Sequence, residues 1–241
     1  MTELFRRYGA KRFLWASAVC AVLTLAASDD APARGTAGKF DYYVLALSWS
    51  PTYCAEEGRN RRERQCSGQR PYAFVLHGLW PQYTKGWPQN CDIGRKPWVP
   101  QVLIDAMLDI MPSPRLVIQQ YRKHGTCSGL TPEAYYSLSR QLHDAIKIPA
   151  RYLQPNKPVL VTPEEIEEDF LKTNRDLTPE MISVSCGRGK RLREVRICFS
   201  KEGQLRACGH NENQARLCRL DKIVMPPVRN GGNQTRPGRN Q

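Results

Sequence analysis

Two histidines in this chain stand directly before a glycine, His77-Gly78 and His124-Gly125. An imidazole titrates near neutral pH, so a pair of them can divide proton transfer, the neutral one accepting while the charged one donates. His124 lies in "QQYRKHGTC", Gln119 to Cys127. On a helix, Gln120, Lys123 and His124 fall at i, i+3 and i+4 and share a face, with Gln119 leaning toward Lys123. That face offers a proton carrier, a cation and an amide. His77 lies in the apolar run "YAFVLHGLW", and Trp80, Pro81 and Tyr83 beside it read as a site more than as core. Of the four histidines, His143 falls within a helical pattern and reads as packing or surface, and His210, in a loop, is given no role.

The elements that must position these residues read as strands, then helices, then strands, an α+β pattern. "FDYYVLALSWSP", Phe40 to Pro51, is rich in β-formers and reads as a central strand that stops at proline. Tyr72 to Trp80 reads as a second buried strand, followed by a Pro-, Gly- and Trp-rich loop through Trp98. Helices are expected over Val99 to Met111, over Leu116 to His124, and from Thr131-Pro132-Glu133 onward. Thr162-Pro163-Glu164-Glu165 is a capping box that starts another. "ISVSC", "REVRICFS" and "KIVMPP" return to strands, and Gly203 marks a hairpin turn that brings Cys198 toward Cys208.

The chain has 241 residues and a net charge of +13, which suits one domain with processed ends and a polyanionic partner. Arg6, Arg7, Lys11 and Arg12 precede an apolar run over Phe13 to Ala27 that is short for a membrane span. Residues 1–28 therefore read as a secretory signal, 29–39 as a flexible leader, 40–227 as the folded domain and 228–241 as a flexible tail. Setting aside Cys20 in the signal leaves eight of the nine cysteines, an even number that suits a disulfide framework in an oxidising compartment. The rival, a zinc site from Cys198, Cys208, His210 and Cys218, has no close Cys-x-x-Cys pair to support it.

"FVLHGLWPQY" (Phe74 to Tyr83) and "YRKHGTC" (Tyr121 to Cys127) resemble the two active-site segments of the ribonuclease T2 family, in the same order and at a similar separation. "YYVLALSWSPTYC" looks like that family's first strand, and "LDKIVMPP" is similar to bacterial members of the RNase I type. The resemblance runs from about Tyr42 to Pro227. It implies an antiparallel β-sheet with packed helices, stapled by disulfides, and a secreted or periplasmic monomer. It also implies cleavage of single-stranded RNA with little base specificity and no metal or other cofactor. RNA is then the partner, DNA is not cleaved, and no stable membrane partner is expected. The family analogy pairs Cys54 with Cys66, Cys91 with Cys127, Cys186 with Cys218 and Cys198 with Cys208.

By the same resemblance His124 matches the general base, His77 the general acid, and Lys123 the cation that stabilises the phosphorane. Trp80 matches a tryptophan that stacks a base beside the cut, and Tyr83 and Trp87 are weaker stacking candidates. The chain departs from the family at two positions. Many members carry a histidine that holds phosphate and a glutamate that supports the transition state where Gln119 and Gln120 stand. The amide of Gln120 can still donate to a phosphoryl oxygen, and Gln119 more weakly. These departures raise a competing expectation, a catalytically weakened homologue that binds RNA or an envelope surface.

Overall fold

The computed structural model describes residues 35–56, 63–66 and 70–228; the signal segment and nearly all of the expected tail lie outside them. Six strands occur in these residues: β1 (Tyr42–Trp49), β2 (Phe74–Gln82), β3 (Val159–Val161), β4 (Ile182–Cys186), β5 (Leu192–Phe199) and β6 (Ile223–Met225). Four of them form an antiparallel sheet in the order β2-β1-β5-β4, with β1 inside, as its unbroken run of β-formers predicts. The alternation of β1 divides its side chains between two faces. Tyr43, Leu45, Leu47 and Trp49 enter the main core, whereas Tyr42, Val44 and Ala46 pack with Trp80 and Cys198 in a second, smaller cluster. β3 and β6 pair as a separate two-stranded sheet.

The helices are α1 (Ser50–Glu56), α2 (Gln101–Met107), α3 (Pro114–Gln120), α4 (Thr126–Ser128), α5 (Pro132–Ala145), α6 (Pro163–Thr173) and α7 (Gln214–Leu217). Ile104 and Met107 of α2, Val117 of α3, Tyr135, Tyr136 and Leu142 of α5, and Ile166 and Phe170 of α6 share the main core with the sheet. Burying each such side chain contributes on the order of 1.5–3 kcal/mol, so this face anchors the domain. The caps are local. The Ser113 hydroxyl accepts from the Leu116 N–H, Thr131 accepts from the Ala134 N–H, and Thr162 with Glu165 closes the expected capping box.

Four expectations need correction. The helix over Val99 to Met111 is shorter, ending at Met107. Pro51 stops the strand but opens α1, because a first-turn proline lacks only an N–H that has no helical partner. The end of the supposed leader is docked: the Gly38 N–H donates to the Cys127 carbonyl at 2.9 Å and Thr36 bridges to Asp92. Val228 is likewise buried, its N–H on the Pro155 carbonyl, so folded structure runs one residue past the expected end.

Candidate active site

His77 owes its position to an irregularity in β2. Along the β1–β2 ladder Ala46 faces Gly78 and the next residue, Leu47, faces Leu76. His77 is the extra residue, a β-bulge, and such a bulge re-aims the side chain it carries. The imidazole is 38% exposed, and its Nδ1 lies 3.0 Å from Oε2 of Glu194 on β5. The strand that carries Glu194 is irregular beside it. Ser185 faces Glu194 while Cys186 faces Leu192, so Arg193 is extra and β5 also bulges here.

His124 is placed by a different device. α3 does not continue through the motif as a regular helix; residues Tyr121–Gly125 form a π-turn before α4. The widened turn is stable because its carbonyls find other donors. The Thr126 hydroxyl donates to the Arg122 carbonyl at 3.0 Å, the Asn90 N–H to the Lys123 carbonyl at 2.8 Å, and the Ser128 hydroxyl to the Gly125 carbonyl. The Cys91–Cys127 disulfide ties the same loop to the end of the turn. The face expected of a regular helix is therefore redistributed. Gln120 and His124 turn inward and are 6% and 7% exposed, while Lys123 and Gln119 stand exposed.

The two histidines meet at Trp80. Its ring centroid lies 5.1 Å from that of His77, edge-on, and 5.4 Å from that of His124. The indole N–H donates to Oε1 of Gln120 at 2.8 Å. Because an indole N–H can only donate, this bond fixes the amide and leaves its NH2 as the end able to donate elsewhere. The glycines after each histidine follow from this packing. A Cβ on Gly78 would fall 2.1 Å from Oε1 of Gln120, and one on Gly125 would fall 2.4 Å from a ring carbon of Tyr121.

Electrostatically the two histidines differ. Burial, with the charges of Lys123 and His77 adding to it, pushes His124 down to about 3. Its Nδ1 is buried with no hydrogen-bond partner among the described residues. On the other side of Trp80 lies a buried charged chain. Arg196 donates to Oε1 of Glu194 at 3.0 and 2.8 Å, stands 3.6 Å from Glu212, and places its guanidinium 5.2 Å from the Trp80 ring centroid. The Tyr42 hydroxyl donates to Glu212.

The structure thus brings His77, His124, Trp80 and Gln120 together, with Lys123 at the edge, and leaves Gln119 outside that cluster. Trp80, which the resemblance matches to a base-stacking tryptophan, is 9% exposed and packs its ring against both histidines. Tyr83 is half-buried in a turn clamped by Asn211, which bonds to both backbone groups of Gly86 and to the Tyr83 carbonyl. Trp87 in that loop is the more open aromatic, at 54% exposed. Sequence reasoning missed Glu194, Arg196, Glu212 and Tyr42. Strand alternation puts Glu194 and Arg196 on one face of "REVRICFS", a signal readable in the sequence, but nothing there says that the face lies under His77. The disulfides pair Cys54 with Cys66, Cys91 with Cys127, Cys186 with Cys218 and Cys198 with Cys208, which leaves no free thiol for the zinc set.

Comparison with known proteins identifies the family and the fold. A model of the ribonuclease T2 family matches residues 40–208. A ribonuclease of Aeromonas hydrophila is 37% identical over 177 residues, covering 73% of this chain and 79% of that one. Ribonuclease I of Escherichia coli is 26% identical over 206 residues, covering 68% and 77%. Among solved structures, the RNase-related protein from Calystegia sepium superposes with a TM-score of 0.60 at 25% identity, covering 78% of this chain and 97% of that one. Trichomaglin, an S-like ribonuclease, gives the same TM-score at 22% identity, covering 79% and 99%, and supports the fold. The chain belongs to the ribonuclease T2 family and is a T2-type endoribonuclease.

Proposed function

We propose that the chain cleaves single-stranded RNA with low base specificity, by metal-free transphosphorylation through a 2′,3′-cyclic phosphate. The observation that carries this reading is the packing of His77 and His124 against one indole, one imidazole buried and the other beside a carboxylate. RNA supplies its own nucleophile, so the protein must move two protons and stabilise charge. His124, neutral over a wide pH range, takes the proton of the 2′-hydroxyl through Nε2, since Nδ1 is buried. His77 enters as imidazolium and protonates the leaving 5′-oxygen. Lys123 and the NH2 of Gln120 stabilise the phosphorane oxygens, where donors aimed at developing charge are worth most. DNA lacks the 2′-hydroxyl and is not cut. Trp80 packs against both histidines, and the open ring of Trp87 is available to a base. We assign the enzyme to a periplasmic or secreted location and a monomeric state. The signal pattern and paired cysteines support that location, and among the described residues no helix is long and apolar enough to cross a membrane.

The test uses mature, oxidised protein and a short defined RNA in excess EDTA across a pH series, with product ends identified by mass. Cyclic phosphate ends and a bell-shaped profile are expected, with losses of about 10²–10⁴-fold in His77→Ala and in His124→Ala. Intact RNA from folded protein would sink the reading in favour of a binding role.

A further inference from the structure

We propose that Glu194 is a positioning residue for this reaction: it grips His77 through Nδ1, so that Nε2 carries the transferable proton, and is itself held by a chain running through Arg196 and Glu212 to Tyr42. The inference rests on the reading of His77 as the acid.

The geometry is specific. Glu194 is 2% exposed, and each of its oxygens has its own partner, Oε1 the Arg196 guanidinium and Oε2 the His77 ring. An isolated carboxylate so buried would protonate. Burial does oppose its ionisation, but the His77 hydrogen bond and the Arg196 charge outweigh it and hold Glu194 at about 2. It is therefore an anion wherever the enzyme works. An ionised carboxylate can only accept, so the Nδ1 of His77 must donate. The imidazolium then gives its Nε2 proton to the leaving oxygen and ends as the neutral Nδ1–H tautomer, still bonded to Glu194, with no rearrangement between steps.

The surroundings show why an anion is needed. Lys123 acts on the neighbouring His124 and Arg196 lies against the Trp80 ring, so cations already flank the site. Glu212 also lies on Arg196, but burial pushes it upward, and it takes the Tyr42 hydroxyl instead of a histidine. Among the described residues, Glu194 is the carboxylate bonded to a histidine of the site.

The test compares a dinucleotide with a uridine 3′-(4-nitrophenyl phosphate), whose leaving group needs no acid. His77→Ala should slow the dinucleotide strongly and the aryl ester little. Glu194→Gln should lower kcat on the dinucleotide about tenfold with KM little changed, and move the basic limb of kcat/KM to lower pH. The aryl ester should be cleaved at nearly the wild-type rate, and Glu194→Asp should recover part of the loss. If His77→Ala slows both substrates alike, the acid reading itself fails. If it discriminates while Glu194→Gln leaves the dinucleotide profile unchanged, or slows both substrates equally, Glu194 is a structural ion pair and the inference is overturned. Nitrogen NMR of the wild-type histidines reads the same point without a variant: a neutral His77 with its proton on Nδ1 is expected, and one on Nε2 overturns the proposal.

Discussion

The two halves of the site hold their histidines by opposite means. His77 sits on a bulged strand, partly in water, and an ionised carboxylate grips its ring. His124 sits in a π-turn, nearly out of water, with no partner on Nδ1 among the described residues. One half is held by charge within a sheet, and the other by backbone geometry and desolvation. The difference matches what each imidazole must do, since an anion favours the imidazolium of an acid and burial favours the neutral ring of a base. It also places their vulnerabilities apart. The acid depends on side chains of β5, and the base on whatever keeps an irregular turn in shape.

The strongest way to break the comparison is through the disulfides. The Cys91–Cys127 bridge joins the π-turn to the loop whose Asn90 satisfies the Lys123 carbonyl. The Cys198–Cys208 bridge ties the hairpin at the end of β5, on the His77 side. Their sequence separations are 36 and 10 residues. Chain entropy then assigns similar losses of stability, about 4 and about 3 kcal/mol. Activity should not follow stability. Cys91→Ser with Cys127→Ser should lower kcat more than tenfold at a temperature where the protein remains folded, because His124 loses its register. Cys198→Ser with Cys208→Ser should leave kcat within about threefold, the sheet ladder still holding Glu194. Equal losses in kcat, measured beside thermal unfolding, would show that the base half is no more dependent on its staple than the acid half.

The pH profile separates the halves next. The folded protein keeps His124 neutral down to about 3, far below the ordinary value of 6.5. The acid limb of kcat/KM, which reports the free enzyme, should therefore lie well below 6.5. A bound phosphodiester brings negative charge and favours the imidazolium, so the acid limb of kcat should lie at higher pH than that of kcat/KM. Stability has the same sign. Between 6.5 and about 3 the unfolded chain binds a proton that native His124 refuses, and between 4.5 and about 2 it binds one that native Glu194 refuses. Both contributions are present at neutral pH and are lost as pH falls through the folded values. Denaturant midpoints should drop steadily on the acid side, and His124→Asn should remove the part of that drop beginning near 6.5.

The sequence made the acid half legible only in part and the base half legible only in outline. Strand periodicity and a glycine located His77, but Glu194 and Arg196 were missed, because pairing across β1 is a long-range fact that no local pattern encodes. In the base half the residue types were plain and the geometry was not. A π-turn shares its composition with an ordinary helix, and it forms here because Asn90, Thr126 and Ser128 satisfy its carbonyls. The i, i+3, i+4 argument therefore put Lys123 on a shared face from which the structure removes it. The packing of Trp80 was likewise out of reach: the resemblance matched it to a base-stacking tryptophan, and nothing in the sequence says that its N–H meets Gln120 and its ring both histidines.

The smallest expected effects lie at the two glutamines, and they sharpen the comparison most finely. Gln120→Glu keeps an acceptor for the Trp80 N–H, so the packing of Trp80 on both histidines should stand. It replaces the NH2 with a carboxylate oxygen near a buried, unpartnered imidazole. The new charge should favour the imidazolium of His124 and move the acid limb of kcat/KM to higher pH, while the basic limb, set on the Glu194 side, stays in place. The loss of a donor to the phosphorane should lower kcat by no more than about tenfold, less than the roughly 10²–10³-fold cost of removing a donor from a site built around it. Gln119→Ala should stay within about twofold in both constants, because Gln119 is exposed and outside the cluster. An acid limb that does not move in Gln120→Glu would mean that the amide does not face the base, and that His124 is tuned by desolvation and Lys123 without any contribution from Gln120.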